Sequence, residues 1–276
     1  DHWVALRPLL SEYFSVEDDS LYFSILPTTT QYARNALFSG LMPADLEKLY
    51  PDLWVDDEDD ESKNLHEEEM LVTQLKRLGY SERIYFDKIT NINTGKNLND
   101  RLAHISQSHF SVLVHNFIDI LSHARTEMNM IKELANDEAA YRSLTVSWFT
   151  HSPLFEMLQE LSRRKVNILI TTDHGSVNIQ NPIKVLGDRN VNTNLRYKQG
   201  KALQYNKKEV FEITRPIDAR LPQSHLSSAY IFATNQDFFA YPNNYNYYVK
   251  YYKDTFQHGG ISLEEMIIPF VSLKAI

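Results

Sequence analysis

Apolar positions along this chain follow two periods. Short runs dense in β-branched and aromatic residues predict strands at Ser20–Leu26, Glu82–Phe86, Phe110–Val114, Ser228–Ala233 and Met266–Ser272. Longer stretches with an apolar stripe predict helices over Gln31–Phe38, His66–Leu78 and Phe155–Arg164, and Ser39-Gly40 closes the first of them. Val166-Asn167-Ile168-Leu169-Ile170 is nearly continuous in apolar character, which suits a parallel strand buried on both faces. Strands alternating with helices argue for an α/β fold, a mostly parallel central sheet flanked by helices. In such sheets ligands bind beyond the carboxyl ends of the strands, so chemistry is sought just after each strand.

Composition narrows the classes. With 276 residues and 43% hydrophobic side chains, the chain is long enough to bury a proper core. Its formal charge of −8 is unsuited to coating duplex DNA, which needs clustered Lys and Arg. The absence of cysteine excludes a disulfide scaffold, a Cys-ligated zinc finger and a Cys nucleophile. No apolar run approaches the roughly 18 residues of a membrane span. The chain starts at Asp1 without a signal-peptide core, and the expectation is a fragment of a cytoplasmic protein, a single domain over residues 1–276. Residues 56–69 hold nine carboxylates against one lysine, so Asp56–Glu61 reads as a solvated loop.

Four segments carry candidate chemistry. Thr171-Thr172-Asp173-His174-Gly175 follows the buried run directly, and charged groups at the mouth of an apolar strand are costly unless something binds them. The plainer reading is a polar turn before a helix. Asp119 and His123 stand i,i+4 on one helical face, a spacing that suits a metal ion and equally an ordinary polar pair. His258-Gly259-Gly260 joins two adjacent glycines to Ser262-x-x-Glu265, a capping box that would start a short helix. Pro27-Thr28-Thr29-Thr30 puts hydroxyls at a helix N-terminus, where a phosphate binds readily, although Thr is also a routine N-cap.

A fifth feature concerns binding. Between Lys184 and Lys208 lie seven basic residues and one acid, Asp188, a local charge of 7 − 1 = +6. Arg196, Lys198 and Lys201 belong to it, with Tyr197 and Tyr205 interleaved, as a clamp on phosphates and stacked bases would require. A solvated basic loop would have the same composition.

Together the segments 27–43 (PTTTQYARNALFSGLMP), 116–124 (NFIDILSHA), 171–176 (TTDHGS), 193–201 (TNLRYKQGK) and 256–269 (FQHGGISLEEMIIP) resemble the PglZ domain of the alkaline phosphatase superfamily, as found in PorX-like two-component response regulators. The resemblance implies a zinc phosphodiesterase acting on nucleotides or oligonucleotides, the output domain of a regulator of type IX secretion. It implies upstream receiver and linker domains, and signalling proteins as possible partners. By resemblance, Asp119, His123 and His258 match the ligands of one zinc. Asp173 and His174 match ligands of the second, with Thr30 as the metal-bound nucleophile. The family's further Asp for the second ion falls upstream of Asp1, so the first site is expected to be the better filled. Two other functions fit the same segments: a non-catalytic metal-binding signalling or partner-binding module, and a phosphomonoesterase or mutase.

Overall fold

The structure is a computed structural model that describes residues 2–55, 64–89, 98–118, 121–122, 137–164, 166–187, 192–223 and 225–276. The elements run α1 His2–Leu10, β1 Phe14–Phe23, α2 Thr30–Ser39, α3 Pro43–Leu49, α4 Glu67–Arg77, β2 Ile84–Ile89, α5 Leu98–Ser106 and β3 Phe110–His115. Then follow α6 Glu138–Thr150, α7 Pro153–Ser162, β4 Asn167–Thr171, β5 Val177–Asn178, β6 Asn181–Lys184, β7 Tyr197–Gly200, β8 Phe211–Ile213, β9 Ala229–Phe232 and β10 Asp237–Ala240. The chain ends with α8 Tyr245–Tyr252, β11 Phe256–Gln257, α9 Leu263–Met266 and β12 Ile267–Ala275. The acidic segment Asp56–Glu61 lies outside the described residues.

These elements divide into two compact units. The first comprises Asp1–Leu21, Ser81–Thr171 and Pro269–Ile276. Its core joins Leu10, Phe14, Phe117, Phe149, Phe155 and Val271. Local signals start its helices as physical chemistry requires. The Asp137 side chain accepts the Ala140 N–H at 2.7 Å, and Ser152, followed by Pro153, accepts the Phe155 N–H at 3.2 Å. β2 and β3 pair in parallel, from Ile84 opposite Phe110 to Ile89 opposite His115.

β4 departs from expectation. It pairs antiparallel with β12, Phe270 opposite Thr171 and Lys274 opposite Asn167. Asn167 and Leu169 face outward while Ile168 and Ile170 pack on core clusters, so the strand has one buried face and not two. The physical reason is that the last strand of the chain returns beside it, and a period of two then decides burial.

The second unit comprises Tyr22–Tyr80 and Thr172–Ile268. β6 and β10 pair in parallel, whereas β7 and β8 flank β9 antiparallel. Two clusters fill it, one around Ile183, Ile231 and Phe239, the other around Val177, Ile179 and Phe238. α2 packs on α4 and ends at Gly40 in the left-handed conformation, φ +62°. The pairing of β11 with β5 matters most for chemistry: Gln257 lies opposite Val177, so the loop after β11 and the loop before β5 meet at one end.

Candidate active site

The second unit gathers three sequence-predicted loops at one place. Thr28, Thr29 and Thr30 differ sharply in exposure: Thr28 and Thr29 are buried and Thr30 is half-buried. Thr29 is the N-cap of α2, with extended backbone (φ −127°, ψ 153°), and Thr30 opens the helix. Thr30 Oγ1 lies 3.2 Å from His174 Nε2. The helix dipole therefore points its positive end at the one threonine hydroxyl of the three that solvent can reach.

Thr28 ties this segment to the His258 turn. Its Oγ1 donates to the Gly260 carbonyl at 2.8 Å and accepts the Gly259 N–H at 3.0 Å. Its own carbonyl accepts from His258 Nδ1 at 3.0 Å. A carbonyl can only accept, so Nδ1 carries a proton, and whenever the ring is neutral its lone pair is on Nε2. The same logic holds for His174, whose Nδ1 lies 3.0 Å from the Gly175 carbonyl. In the neutral ring the Thr30 hydroxyl is the donor to His174 Nε2. The two imidazoles stack, 3.9 Å between centroids and 12° between planes.

Asp173 is the electrostatic centre of the loop. Its Oδ1 accepts the His174 N–H at 3.2 Å and the Thr172 hydroxyl at 3.3 Å. Its Oδ2 is buried with no hydrogen-bond partner among the described residues, 3.7 Å from His174 Nε2. Burial pushes the Asp173 carboxyl up, but the positive charge of His174 when its ring is protonated, of Arg34 and of a protonated His258 outweighs it and holds the group below its ordinary value. An anionic oxygen in that position is costly without a cation.

Glycines permit the close approach. A Cβ on Gly175 would overlap the Glu264 carbonyl oxygen, while Gly175 N–H donates to the Glu265 carbonyl at 2.9 Å. Proximity of backbones is thus its reason, since its φ is not positive. Gly259 has φ +121°, and a Cβ there would come within 2.6 Å of Asn194 Oδ1. Gly260 faces the Ala233 carbonyl and the Arg196 guanidinium.

Beneath this turn the expected capping box forms, and it does more than cap. Glu265 Oε1 accepts from Gly260 N–H at 2.9 Å, and Oε2 accepts from the Ser262 N–H and hydroxyl at 3.1 and 2.6 Å. The same carboxylate receives Arg196, with neither side chain exposed.

Among the described residues no three His, Cys, Asp or Glu side chains gather closely enough to hold an ion by themselves. Asp119 and His123 lie outside the described residues. The groups present still fit a cation: an orphaned buried carboxylate oxygen, imidazoles whose other nitrogen is anchored on a carbonyl, and a hydroxyl within reach. Anchoring of the second ring nitrogen is the usual setting of a metal-ligating histidine.

A model of the BREX system PglZ alkaline phosphatase-like domain matches residues 1–273. The chain belongs to the PglZ family. Among solved structures, phosphonoacetate hydrolase from Sinorhizobium meliloti 1021 in complex with phosphonoacetate aligns with TM-score 0.50 and 10% identity, covering 97% of this chain and 83% of that one. The same enzyme in complex with phosphonoformate aligns with TM-score 0.47 and 11% identity, over 98% and 84%. No curated relative matches the chain. The α/β expectation therefore holds in its family form: the PglZ chain has an alkaline phosphatase-like hydrolase fold.

The basic clamp is corrected by the structure. Arg196 is 0% and Lys198 1% exposed, and of the three clamp residues Lys201 alone lies at the surface. Arg196 serves Glu265, and Lys198 donates to the Asn192 carbonyl at 2.7 Å with its ammonium 4.7 Å from the Tyr241 ring centroid. A count of charges along a segment carries no information about which side chains turn inward. Sequence reasoning named Thr28 only as a helix-start hydroxyl and Glu265 only as a cap; their anchoring of the His258 turn, and Arg34, it passed over. Arg34 stands one turn after Thr30 on the same helix, bonded to buried Glu67 at 2.5 Å. Its i,i+4 relation to Thr30 was the available signal.

Proposed function

We propose that the PglZ chain is a metal-dependent phosphodiesterase with Thr30 as nucleophile. The observation that carries this reading is the contact of a half-buried helix-N1 hydroxyl, Thr30 Oγ1, with His174 Nε2, beside a buried Asp173 oxygen that has no hydrogen-bond partner among the described residues. Asp173, His174 and Thr30 would hold one ion; His258, with Asp119 and His123 by family resemblance, would hold the other. Zinc suits this oxygen and imidazole donor set. A bound ion would lower the pKa of the threonine hydroxyl and offset charge on the phosphoryl group.

The chain's own residues then have these tasks. Thr28 and Thr29 hold Thr30 at the helix start, and the His174 Nε2 lone pair, which faces the Thr30 hydroxyl at 3.2 Å, would pass to the ion when one is bound, with Thr30 beside it. Thr30 Oγ1 forms a bond to phosphorus as the bond to the leaving oxygen breaks, and the proton of Thr30 ends on that oxygen. Water then cleaves the Thr30 ester, returning the hydroxyl and releasing a phosphomonoester. The positive end of the α2 dipole favours the anionic phosphoryl oxygens throughout.

The substrate class we favour is nucleotide or oligonucleotide diesters, with the domain as the cytoplasmic output of a response regulator linked to type IX secretion. The support for that part is the resemblance of the five segments. Among the described residues no helix is long and apolar enough to cross a membrane.

The test is turnover of bis-p-nitrophenyl phosphate and a short oligonucleotide by the zinc-loaded chain and by Thr30→Ala. We expect a loss of several orders of magnitude in kcat with zinc content retained. No turnover by the unmutated chain would leave a non-catalytic metal-binding module. Undiminished turnover by Thr30→Ala would assign the attack to water.

A further inference from the structure

Helix α8 presents two faces of unlike purpose. Tyr245, Val249 and Tyr252 pack on the cluster of Val177, Ile179 and Phe238, the i, i+4, i+7 stripe of an amphipathic helix. The outward side of such a helix is ordinarily charged. Here it carries Tyr247, Tyr248 and Tyr251, exposed by 64, 40 and 38%. Tyr247 lies 15° from parallel with Tyr251 at 6.1 Å, and Tyr248 lies 13° from parallel with the half-buried Tyr252 of the inward stripe at 6.2 Å. Exposed aromatic clusters of this kind mark a surface made for a partner.

Charge and position say which partner. From Tyr241 to Lys253 the sequence has Lys250 and Lys253 and no acid, within a chain of net charge −8. Lys184 adds its ammonium 4.8 Å from the Tyr245 ring centroid. The next residue, Asp254, accepts from the Gln180 amide at 2.7 Å; flat rings beside Lys250 and Lys253 match a ligand that alternates aromatic bases and phosphates. The helix ends at Tyr252, six residues before His258, a span of at most about 20 Å even if fully extended.

We propose that the outward tyrosine face of α8 is a stacking platform for single-stranded nucleic acid, which leads a polynucleotide toward the His258 turn. Its purpose rests on the phosphodiesterase reading; its binding does not. Bases would lie on Tyr247, Tyr248 and Tyr251, and Lys250 and Lys253 would meet the backbone. A duplex, with its bases already stacked, would gain only the lysine contacts.

Binding is measured without cleavage, in the full chain carrying Thr30→Ala, by fluorescence anisotropy of a labelled oligothymidylate of about twelve nucleotides. The change of Tyr247, Tyr248 and Tyr251 together to alanine is expected to weaken binding at least about tenfold, and the same three changed to phenylalanine to restore it, because stacking needs the ring and not the hydroxyl. Lys250→Glu with Lys253→Glu should flatten the salt dependence. Equal binding by wild type and the triple alanine chain overturns the proposal, as does equal loss in the alanine and phenylalanine chains. Unchanged oligonucleotide binding with a halved mass in sedimentation would give the face to a second copy of the chain. Turnover of bis-p-nitrophenyl phosphate by the unmutated chain reports on the hydrolase reading separately.

Discussion

Arg196 and Glu265 meet in a bidentate ion pair with neither side chain exposed, Nε to Oε1 at 3.0 Å and Nη2 to Oε2 at 2.6 Å. Nη1 of the same guanidinium reaches the Thr234 carbonyl at 3.4 Å and the Asp237 carbonyl. The pair stands under Gly260, whose N–H shares Oε1, so it fixes the turn that carries His258. Its net worth to stability is small by general experience, because desolvation offsets attraction; losing one partner is what costs. Its value here is placement.

Glu265→Ala is therefore expected to destabilise the chain by about 3–5 kcal/mol, since it leaves a buried guanidinium unpaired and Gly260 N–H without an acceptor. Glu265→Gln keeps the shape and loses the charge, and should lie between. Urea unfolding gives the energies. In Glu265→Gln, a fall in zinc affinity by competition with a chelator would register the displaced His258 turn.

Thr28→Val removes the hydroxyl that serves both Gly259 N–H and the Gly260 carbonyl, at nearly constant volume. The expected cost is about 1–3 kcal/mol for the buried groups left unpaired. Thr28→Ser should keep both bonds. If Thr28→Val unfolds at the same urea concentration as wild type, the two Thr28 hydroxyl bonds to the Gly259–Gly260 turn do not stabilise the chain.

Burial lowers the pKa of the Lys198 ammonium to about 7 from its ordinary value of 10.5. The unfolded chain then binds more protons between those limits, so stability rises with pH across that window. Below about pH 7 both states hold the proton, and the penalty of burying charge is complete and level. Lys198→Met should remove this slope and raise stability most at acid to neutral pH. Melting temperatures of the two chains between pH 6 and 10 decide it.

Zinc is expected to raise the melting temperature and a strong chelator to lower it, because Asp173 Oδ2 is buried without a hydrogen-bond partner among the described residues. The larger part of the zinc should bind the site of Asp119, His123 and His258. Asp173→Asn should then weaken only the less filled site, a result that metal analysis of the purified chain can read. Equal melting with and without metal would count against both sites.

How much of this was legible beforehand follows the range of the forces involved. The Gly40 helix end, the Ser262-x-x-Glu265 box and the helix from Thr30 depend on hydrogen bonds across three or four residues, so local sequence determined them. The three loops bearing Thr30, Asp173-His174 and His258 were also legible, because chemistry collects just after strands. Tertiary structure alone decided the rest. His174 and His258 are 84 positions apart, and the short β5–β11 pairing makes their rings stack. Arg196 counted as one of seven surface charges until Glu265, from a distant helix, supplied the acceptors that let it be buried. β4 looked buried on both faces until β12 closed beside it and left Leu169 outward. Periodicity records what a segment prefers. Whether a charge can be buried, and which face of a strand meets solvent, is set by partners remote in sequence, because desolvation is relieved only by the groups that the fold brings there.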